Sequence, residues 1–218
     1  MPFFTRLNRL IKLFFQLLHA VWQMVYGAWK ISKLEGSIVT IFGSSRIKSE
    51  SSYAKKAQEL GQKFADAHIN VLTGGGPGIM EASSCNITYK GKAKSIGIGV
   101  TGIDDRPAKC MSDYFELKYF FARKWLLTEF SLGFVIFPGG FGTLDEMTGV
   151  LTQMQTKTLK RVPVVLIGKE YWHSFVTWIE TEALKHGAIL KEEIAYFYVT
   201  DDVEEAFCWV LSKCEIKN

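Results

Sequence analysis

The chain has no C-x-x-C pair, and its four cysteines (Cys85, Cys110, Cys208 and Cys214) are scattered among only four histidines. No group of them has the spacing of a zinc site. Without a cysteine framework, the thiols are expected to be free and buried, as in a reducing compartment. There are five prolines in 218 residues, and no internal repeat or low-complexity tract. No G-x-G-x-x-G follows the first apolar run, and no acidic residue closes a second strand to hold a ribose, which excludes the dinucleotide fingerprint. No G-K-[ST] follows a glycine cluster, which excludes a P-loop. A net charge of +4 is too small to argue for nucleic acid. The body also lacks the concentration of basic and aromatic residues that a single-strand binder needs.

Acidic residues are missing from one region altogether. Residues 1–34 contain no Asp or Glu but carry Arg6, Arg9, Lys12, Lys30 and Lys33. The stretch 13–29 is mostly apolar, broken by Gln16, His19 and Gln23, which recur at helical spacing with Lys12. That pattern is a long amphipathic helix with a narrow polar stripe. It is too short and interrupted for a membrane span, and Ala20-Val21-Trp22 is a poor signal cleavage site. Phe3, Phe4, Phe14, Phe15, Trp22 and Trp29 are too many aromatics to leave in water. The helix is therefore expected either to pack on the body or a partner subunit, or to lie on a membrane surface. The domain boundary falls at Glu35-Gly36, giving an N-terminal helix over 1–35 and one domain over 36–218.

What is present in that domain is an alternation. The composition, 48% hydrophobic and 22% charged, is that of a folded globular chain. Strands are predicted over 38–42, 69–72, 95–100, 134–137, 162–167 and 195–199. Helices are predicted over 51–68, 79–89, 119–130, 147–154, 171–185 and 203–213, with a polar loop over 101–113. Apolar strands without alternation, each followed by a helix, mean a single doubly wound, Rossmann-like α/β parallel sheet with helices on both faces. Ligands of such sheets bind beyond the carboxyl ends of the strands. Three strands end there in glycine or serine loops: Gly43-Ser44-Ser45, Gly74-Gly75-Gly76 and Gly139-Gly140-Phe141-Gly142.

The last of these is the most informative. Pro138-Gly139-Gly140-Phe141-Gly142-Thr143-Leu144-Asp145-Glu146 joins a buried strand to a helix, so bare N–H groups and the helix dipole favour an anion there. Thr143 can cap the helix and offer its hydroxyl to the same anion. Glu146 would repel a phosphate unless it faces another part of the ligand. A mononucleotide or sugar phosphate suits such a site.

These residues resemble the LOG (LONELY GUY) family, phosphoribohydrolases of cytokinin riboside 5′-monophosphates, often labelled lysine-decarboxylase-like. The family's P-G-G-x-G-T-x-x-E matches Pro138 to Glu146 at every fixed position, and its Arg-Lys pair matches Arg123-Lys124, 23 positions before Glu146. Gly74 to Met80 is similar to the family's triple-glycine segment, with Pro77-Gly78-Ile79-Met80 one residue tighter. The resemblance runs over about 38–210 and leaves the N-terminal helix outside. Phe120-Phe121-Ala122 stands where the best-known members have Met-His-Glu, which looks like a bacterial branch.

The resemblance implies hydrolysis of the N-glycosidic bond of a nucleoside 5′-monophosphate, of AMP or cytokinin riboside monophosphate type, to free base and ribose 5-phosphate. Arg123 and Glu146 would be catalytic. Gly43, Ser44, Ser45, Gly74, Gly75, Gly76, Asp105, Lys124, Gly139, Gly140, Phe141, Gly142, Thr143 and Thr152 would contact the substrate. No cofactor and no metal is expected, and no persuasive lysine is found for a pyridoxal phosphate. The implied state is a cytoplasmic homodimer or higher homo-oligomer without nucleic acid, with peripheral membrane contact through residues 1–34 left open. A non-catalytic nucleotide-binding or carrier protein on the same scaffold is the alternative, since fold does not fix activity.

Overall fold

Residues Ile38–Phe42 read Ile-Val-Thr-Ile-Phe, and all five are buried. A strand buried on both faces has to lie inside a sheet that is covered on each side. A computed structural model, which describes residues 3–85, 87, 93–102 and 107–213, contains such a sheet. Its seven strands are β1 (Ile38–Phe42), β2 (Asn70–Thr73), β3 (Ser95–Val100), β4 (Asp113–Leu117), β5 (Gly133–Ile136), β6 (Val164–Ile167) and β7 (Tyr198–Thr200). They run in the order β4-β3-β2-β1-β5-β6-β7, and every pairing is parallel. The chain builds outward from β1 to β4 on one side, then returns to lay β5 against β1. Thr40 thus sits opposite Leu72 on one flank and Phe134 on the other. Strand order reverses between β1 and β5, and a crevice opens at such a reversal.

Alternate residues of each strand feed two cores. One lies under α4 (Phe120–Glu129), α5 (Phe141–Gln155) and α6 (Lys169–Trp178), and takes in Phe42, Leu72, Phe134, Ile136, Leu126 and Met147. The other lies under α2 (Ser52–Asp66), α3 (Ile79–Ser84) and α7 (Val203–Lys213), and takes in Ile41, Val71, Val135, Leu60, Phe64 and Val210. Thr40 is the polar exception in β1. Its hydroxyl donates to the Leu127 carbonyl at 3.0 Å and pairs with the Ser131 hydroxyl at 2.6 Å, so burial leaves it satisfied. Ser51 caps α2, its hydroxyl accepting from the Ala54 N–H.

The structure departs from the sequence reading in several places. The predicted loop over 101–113 runs into a further strand, β4, which begins at Asp113 and has no counterpart in the sequence reading. Its pattern is Asp-Tyr-Phe-Glu-Leu, with Phe115 and Leu117 buried and Glu116 exposed. As an edge strand it keeps one half-polar face, so it lacks the continuous apolar signature of the central strands. The helix predicted from 147 begins at Phe141, inside the glycine motif itself. The helix predicted over 79–89 is described as α3 as far as Ser84, residues 86 and 88–92 lying outside the described set. Helix α6 ends at Trp178 and continues as one π-helical turn, Ile179–Ala183. Lys191–Tyr196, part of which was assigned to the last strand, is a 3₁₀ turn leading into β7.

The expectation of free thiols is corrected at two positions. Cys85 and Cys110 form a disulfide, with Cα atoms 4.5 Å apart. They are 25 residues apart in sequence and meet only because α3 and the loop before β4 close on each other. Cys208 is free and exposed; Cys214 lies outside the described residues.

The N-terminal helix α1 (Phe3–Ile31) exists as predicted. Its last third docks on α4 and β4. Ile31 is fully buried in the first core, Tyr26 meets Phe115 edge to face at 6.0 Å, and Lys30 pairs with Asp113 at 2.7 Å. A Cβ on Gly27 would come within 2.3 Å of Leu126 Cδ1, so the glycine sets how closely the two helices approach. The part of α1 before His19, whose ring meets Tyr119 at 6.0 Å, extends past this contact. Ile31→Ala should lower the unfolding free energy by about 2–5 kcal/mol, the usual cost of emptying a buried isoleucine site. Denaturant titration measures this; a loss within experimental error would mean that α1 contributes nothing to the core.

Candidate functional site

Each central strand ends in a loop at the same edge, and the loops brace one another. The Ser44 N–H donates to the Pro138 carbonyl at 3.0 Å, and the Ile79 N–H donates to the Ser44 carbonyl at 3.2 Å. Gly78, with φ +72°, passes so close that a Cβ there would lie 2.4 Å from the Ser44 oxygen. Gly78 is therefore required both for its backbone angle and for its bareness. From the other side, the Tyr171 hydroxyl donates to the Gly139 carbonyl at 2.7 Å. The Thr143 side chain folds back over Gly139, which leaves no room for a Cβ at 139.

The result is a cleft of about 580 Å³. One wall is the N-terminus of α5. Gly140 precedes the helix, and the first intrahelical bond runs from the Leu144 N–H to the Gly140 carbonyl at 3.0 Å. Helix geometry therefore gives the N–H groups of Phe141, Gly142 and Thr143 no acceptor within the helix. A Cβ at Gly140 or Gly142 would meet nothing within 4 Å. Neither glycine is demanded by packing, and their bareness leaves the approach to these donors open. With the helix dipole behind them, they form an anion seat. Thr143 lines the seat but is not the cap expected from the sequence, because the helix starts one turn earlier.

Below the seat lie two buried charges. Arg123, from α4, and Glu146, from the second turn of α5, are each 8% exposed. Arg123 Nη2 and Glu146 Oε1 are 3.4 Å apart. That is longer than a charge-assisted hydrogen bond of about 2.7–2.9 Å but within ion-pair distance, so the two charges compensate each other. Gly74 makes room for the guanidinium: a Cβ there would fall 2.0 Å from Arg123 Nη2. The Phe120 ring flanks the guanidinium at 5.6 Å, a cation–π distance. The cleft thus offers donors for an anion at its rim and a carboxylate beside a guanidinium on its floor.

Of the residues expected from sequence, Gly43, Ser44, Ser45, Arg123, Gly139, Gly140, Phe141, Gly142, Thr143 and Glu146 all line this cleft. Phe141 is 92% exposed at its mouth. Gly74, Gly75 and Gly76 are buried and are not among its lining residues: Gly74 backs Arg123, and the Gly75 carbonyl accepts from the Ala108 N–H at 2.9 Å. Lys124 turns away, pairing with Asp145 at 2.9 Å and lying over Gly149. Thr152 faces a separate groove of about 280 Å³ with Phe175, Trp178 and Tyr196. Helical periodicity explains both shifts. Arg123 and Lys124 are adjacent, about 100° apart on the helix, and Thr152 is six residues beyond Glu146, which turns it well away from that carboxylate. Asp105 lies outside the described residues.

Sequence reasoning did not select Arg46, Met80, Phe120 or Tyr171, which also line the cleft. Arg46 directly follows the Gly43-Ser44-Ser45 loop, a position that could have been read as a cation beside an anion seat. Tyr171 arrives from α6 with no spacing that ties it to the glycine motif. Among the described residues no cluster of His, Cys, Asp and Glu could hold a metal ion.

Residues 80–209, more than half of the chain, match the family model described as "Possible lysine decarboxylase". The chain is 29% identical over 161 residues to the cytokinin riboside 5′-monophosphate phosphoribohydrolase LOG1 of Arabidopsis thaliana, covering 69% of this chain and 71% of that one. It is 23% identical over 177 residues to the cytokinin riboside 5′-monophosphate phosphoribohydrolase of Rhodococcoides fascians, covering 80% and 89%. Among solved structures, the molybdenum cofactor carrier protein of Chlamydomonas reinhardtii superposes with a TM-score of 0.58 at 22% identity, over 81% of this chain and 97% of that one. At that identity the likeness is one of fold.

Two substitutions separate packing glycines from open ones. Gly74→Ala has to displace the Arg123 guanidinium and should cost about 1–3 kcal/mol, as overpacking does. Gly142→Ala, in helical conformation with open space around it, should be neutral or stabilising by up to about 1 kcal/mol. Thermal or denaturant melts of the two variants decide this; equal losses would contradict the geometry.

Proposed function

The chain belongs to this family, which includes the LOG phosphoribohydrolases, and from that premise we propose that it hydrolyses the N-glycosidic bond of a nucleoside 5′-monophosphate, of AMP or cytokinin riboside monophosphate type. The observation that carries the reading is the buried Arg123–Glu146 pair directly beneath an open helix N-terminus. An anion seat alone suits any phosphate binder. A carboxylate held in the same cleft suits a bond cleavage that develops positive charge.

The 5′-phosphate sits on the N–H groups at the start of α5, with Thr143 beside it and Arg46 at the rim. This anchors the ribose over Glu146. As the bond from the anomeric carbon to the base nitrogen breaks, the sugar becomes oxocarbenium-like. The Glu146 carboxylate stabilises that charge and holds the ribose hydroxyls or the attacking water. The water oxygen bonds to the anomeric carbon and the base leaves with the bonding electron pair, taking up a proton. Arg123 pairs with Glu146 and orients it. Phosphate binding far from the breaking bond is then used to position it.

The family's label also implies pyridoxal phosphate chemistry, which needs a lysine for the Schiff base. Among the described residues that line the cleft the cations are Arg46 and Arg123, and no lysine is present. The residues do not fit that cofactor. A homodimer or higher homo-oligomer belongs to the proposal, because Phe121 and Trp125 on α4 are exposed beside Phe120, which itself lines the cleft. Light scattering at micromolar concentration tests this; a monomer would refute it.

The activity is tested by incubating the protein with AMP and with adenosine and assaying free base. AMP should be cleaved far faster, and equal rates would remove the phosphate from the mechanism. Glu146→Gln should lower kcat by roughly 10²–10⁴, the range for loss of a positioned acid–base group. Wild-type turnover in that variant would refute the assignment. AMP binding without turnover by the wild-type protein would favour the carrier alternative.

A further inference from the structure

Helix α1 has two opposed faces. Ala20, Gly27 and Ile31 turn inward, and the contact with α4 and β4 is made here. On the other side Ile11, Phe14, Leu18, Trp22, Val25 and Trp29 recur every three or four residues. All six are exposed, Trp22 at 63%. Further apolar residues, Leu10, Phe15 and Leu17 among them, widen this stripe on both flanks. It runs from Leu7 to Trp29, about 33 Å at helical rise. Isolated exposed apolar residues are ordinary, but a continuous face of this size marks a contact site.

The charge on the helix selects the occupant. No acidic residue precedes Glu35, and Arg6, Arg9 and Lys12 stand on the part of α1 that extends beyond the body. Lys33 closes the other end, its ammonium 3.3 Å from the Trp29 ring centroid. Pairing two copies through this face would bring together two uniformly basic helices. The positions that flank a two-stranded seam, where complementary charges set the pairing, are here the apolar Leu10, Phe15 and Leu17. A bilayer surface with anionic headgroups supplies what α1 needs: an apolar layer for the wide stripe, negative charge for the basic side chains and an interfacial zone for tryptophan. No helix among the described residues is long and apolar enough to cross a membrane, so the mode is one of lying in the interface.

We infer that the outward face of α1 docks this protein in the plane of an anionic lipid surface. The inward face stays on the domain, so the body is held against the membrane by a helix that is also part of its core. This inference does not depend on the reaction assigned to the cleft.

The test is co-sedimentation of the full chain with vesicles of phosphatidylcholine alone and of phosphatidylcholine mixed with phosphatidylglycerol, at low and high salt. The protein should sediment with the anionic vesicles, and high salt should weaken binding. Replacing Arg6, Arg9 and Lys12 together by glutamine should reduce affinity on the order of 100-fold, at about a factor of five per basic residue. Leu18→Glu with Trp22→Glu should abolish binding. Should that pair of substitutions prevent folding, the glutamine variant still decides, since its three changes lie beyond the contact with the body. Failure to sediment at low salt, or equal binding to neutral and anionic vesicles, would overturn the inference. So would a change of particle mass in the glutamate variant with no vesicle binding by the wild type, which would assign the face to a second copy.

Discussion

A helix that begins where a buried strand ends starts with N–H groups that the helix itself cannot satisfy. In this chain that constraint falls on the start of α5, and the surrounding architecture holds it in place. The strand order turns at β1, so the loops after β1, β2 and β5 arrive side by side. Ser44 is held between Pro138 and Ile79, and Tyr171 holds Gly139 from across the crevice. The donors at Phe141, Gly142 and Thr143 are therefore fixed in direction before any ligand arrives, which is what a preorganised site needs.

The second constraint is the burial of two charges. Taking a guanidinium and a carboxylate out of water is costly unless they compensate each other. Arg123 and Glu146 come from different helices on the same side of the sheet and meet at 3.4 Å. Gly74, on a third element, is bare so that the guanidinium can reach that point. The triple-glycine loop thus shapes the space that Arg123 fills.

The parallel sheet could be read from the sequence because its central strands are apolar on both faces, as in Ile38–Phe42 and Val164–Ile167. Glu146 and Arg123 were singled out through the family resemblance, one inside the glycine motif and the other 23 positions before it, and the fold brings them within 3.4 Å. What could not be read were features that depend on which way a helix is turned. Lys124 adjoins Arg123 in sequence but points to Asp145, and Thr152 shares α5 with Glu146 but faces another groove. Strand β4 was hidden because an edge strand alternates where central strands do not. The Cys85–Cys110 link was hidden because nothing local brings the two residues together. Tyr171 reaches the cleft only through the β6–α6 connection.

The contact between α1 and β4 has a consequence for the way this molecule avoids sticking to itself. A seven-stranded open sheet has two edges, and an edge strand with free amides is a template for adding another chain. At the β7 end the strand is three residues long, too short to recruit much. At the β4 end the guard comes from α1: Gln23 accepts the Lys118 N–H at 3.0 Å just past the strand, and Lys30 holds Asp113 at its beginning. The helix that opens the chain therefore bolts both ends of the exposed edge. A partly unfolded form in which α1 has swung away would present a five-residue strand to its neighbours, making detachment of this helix the step from which aggregation would start.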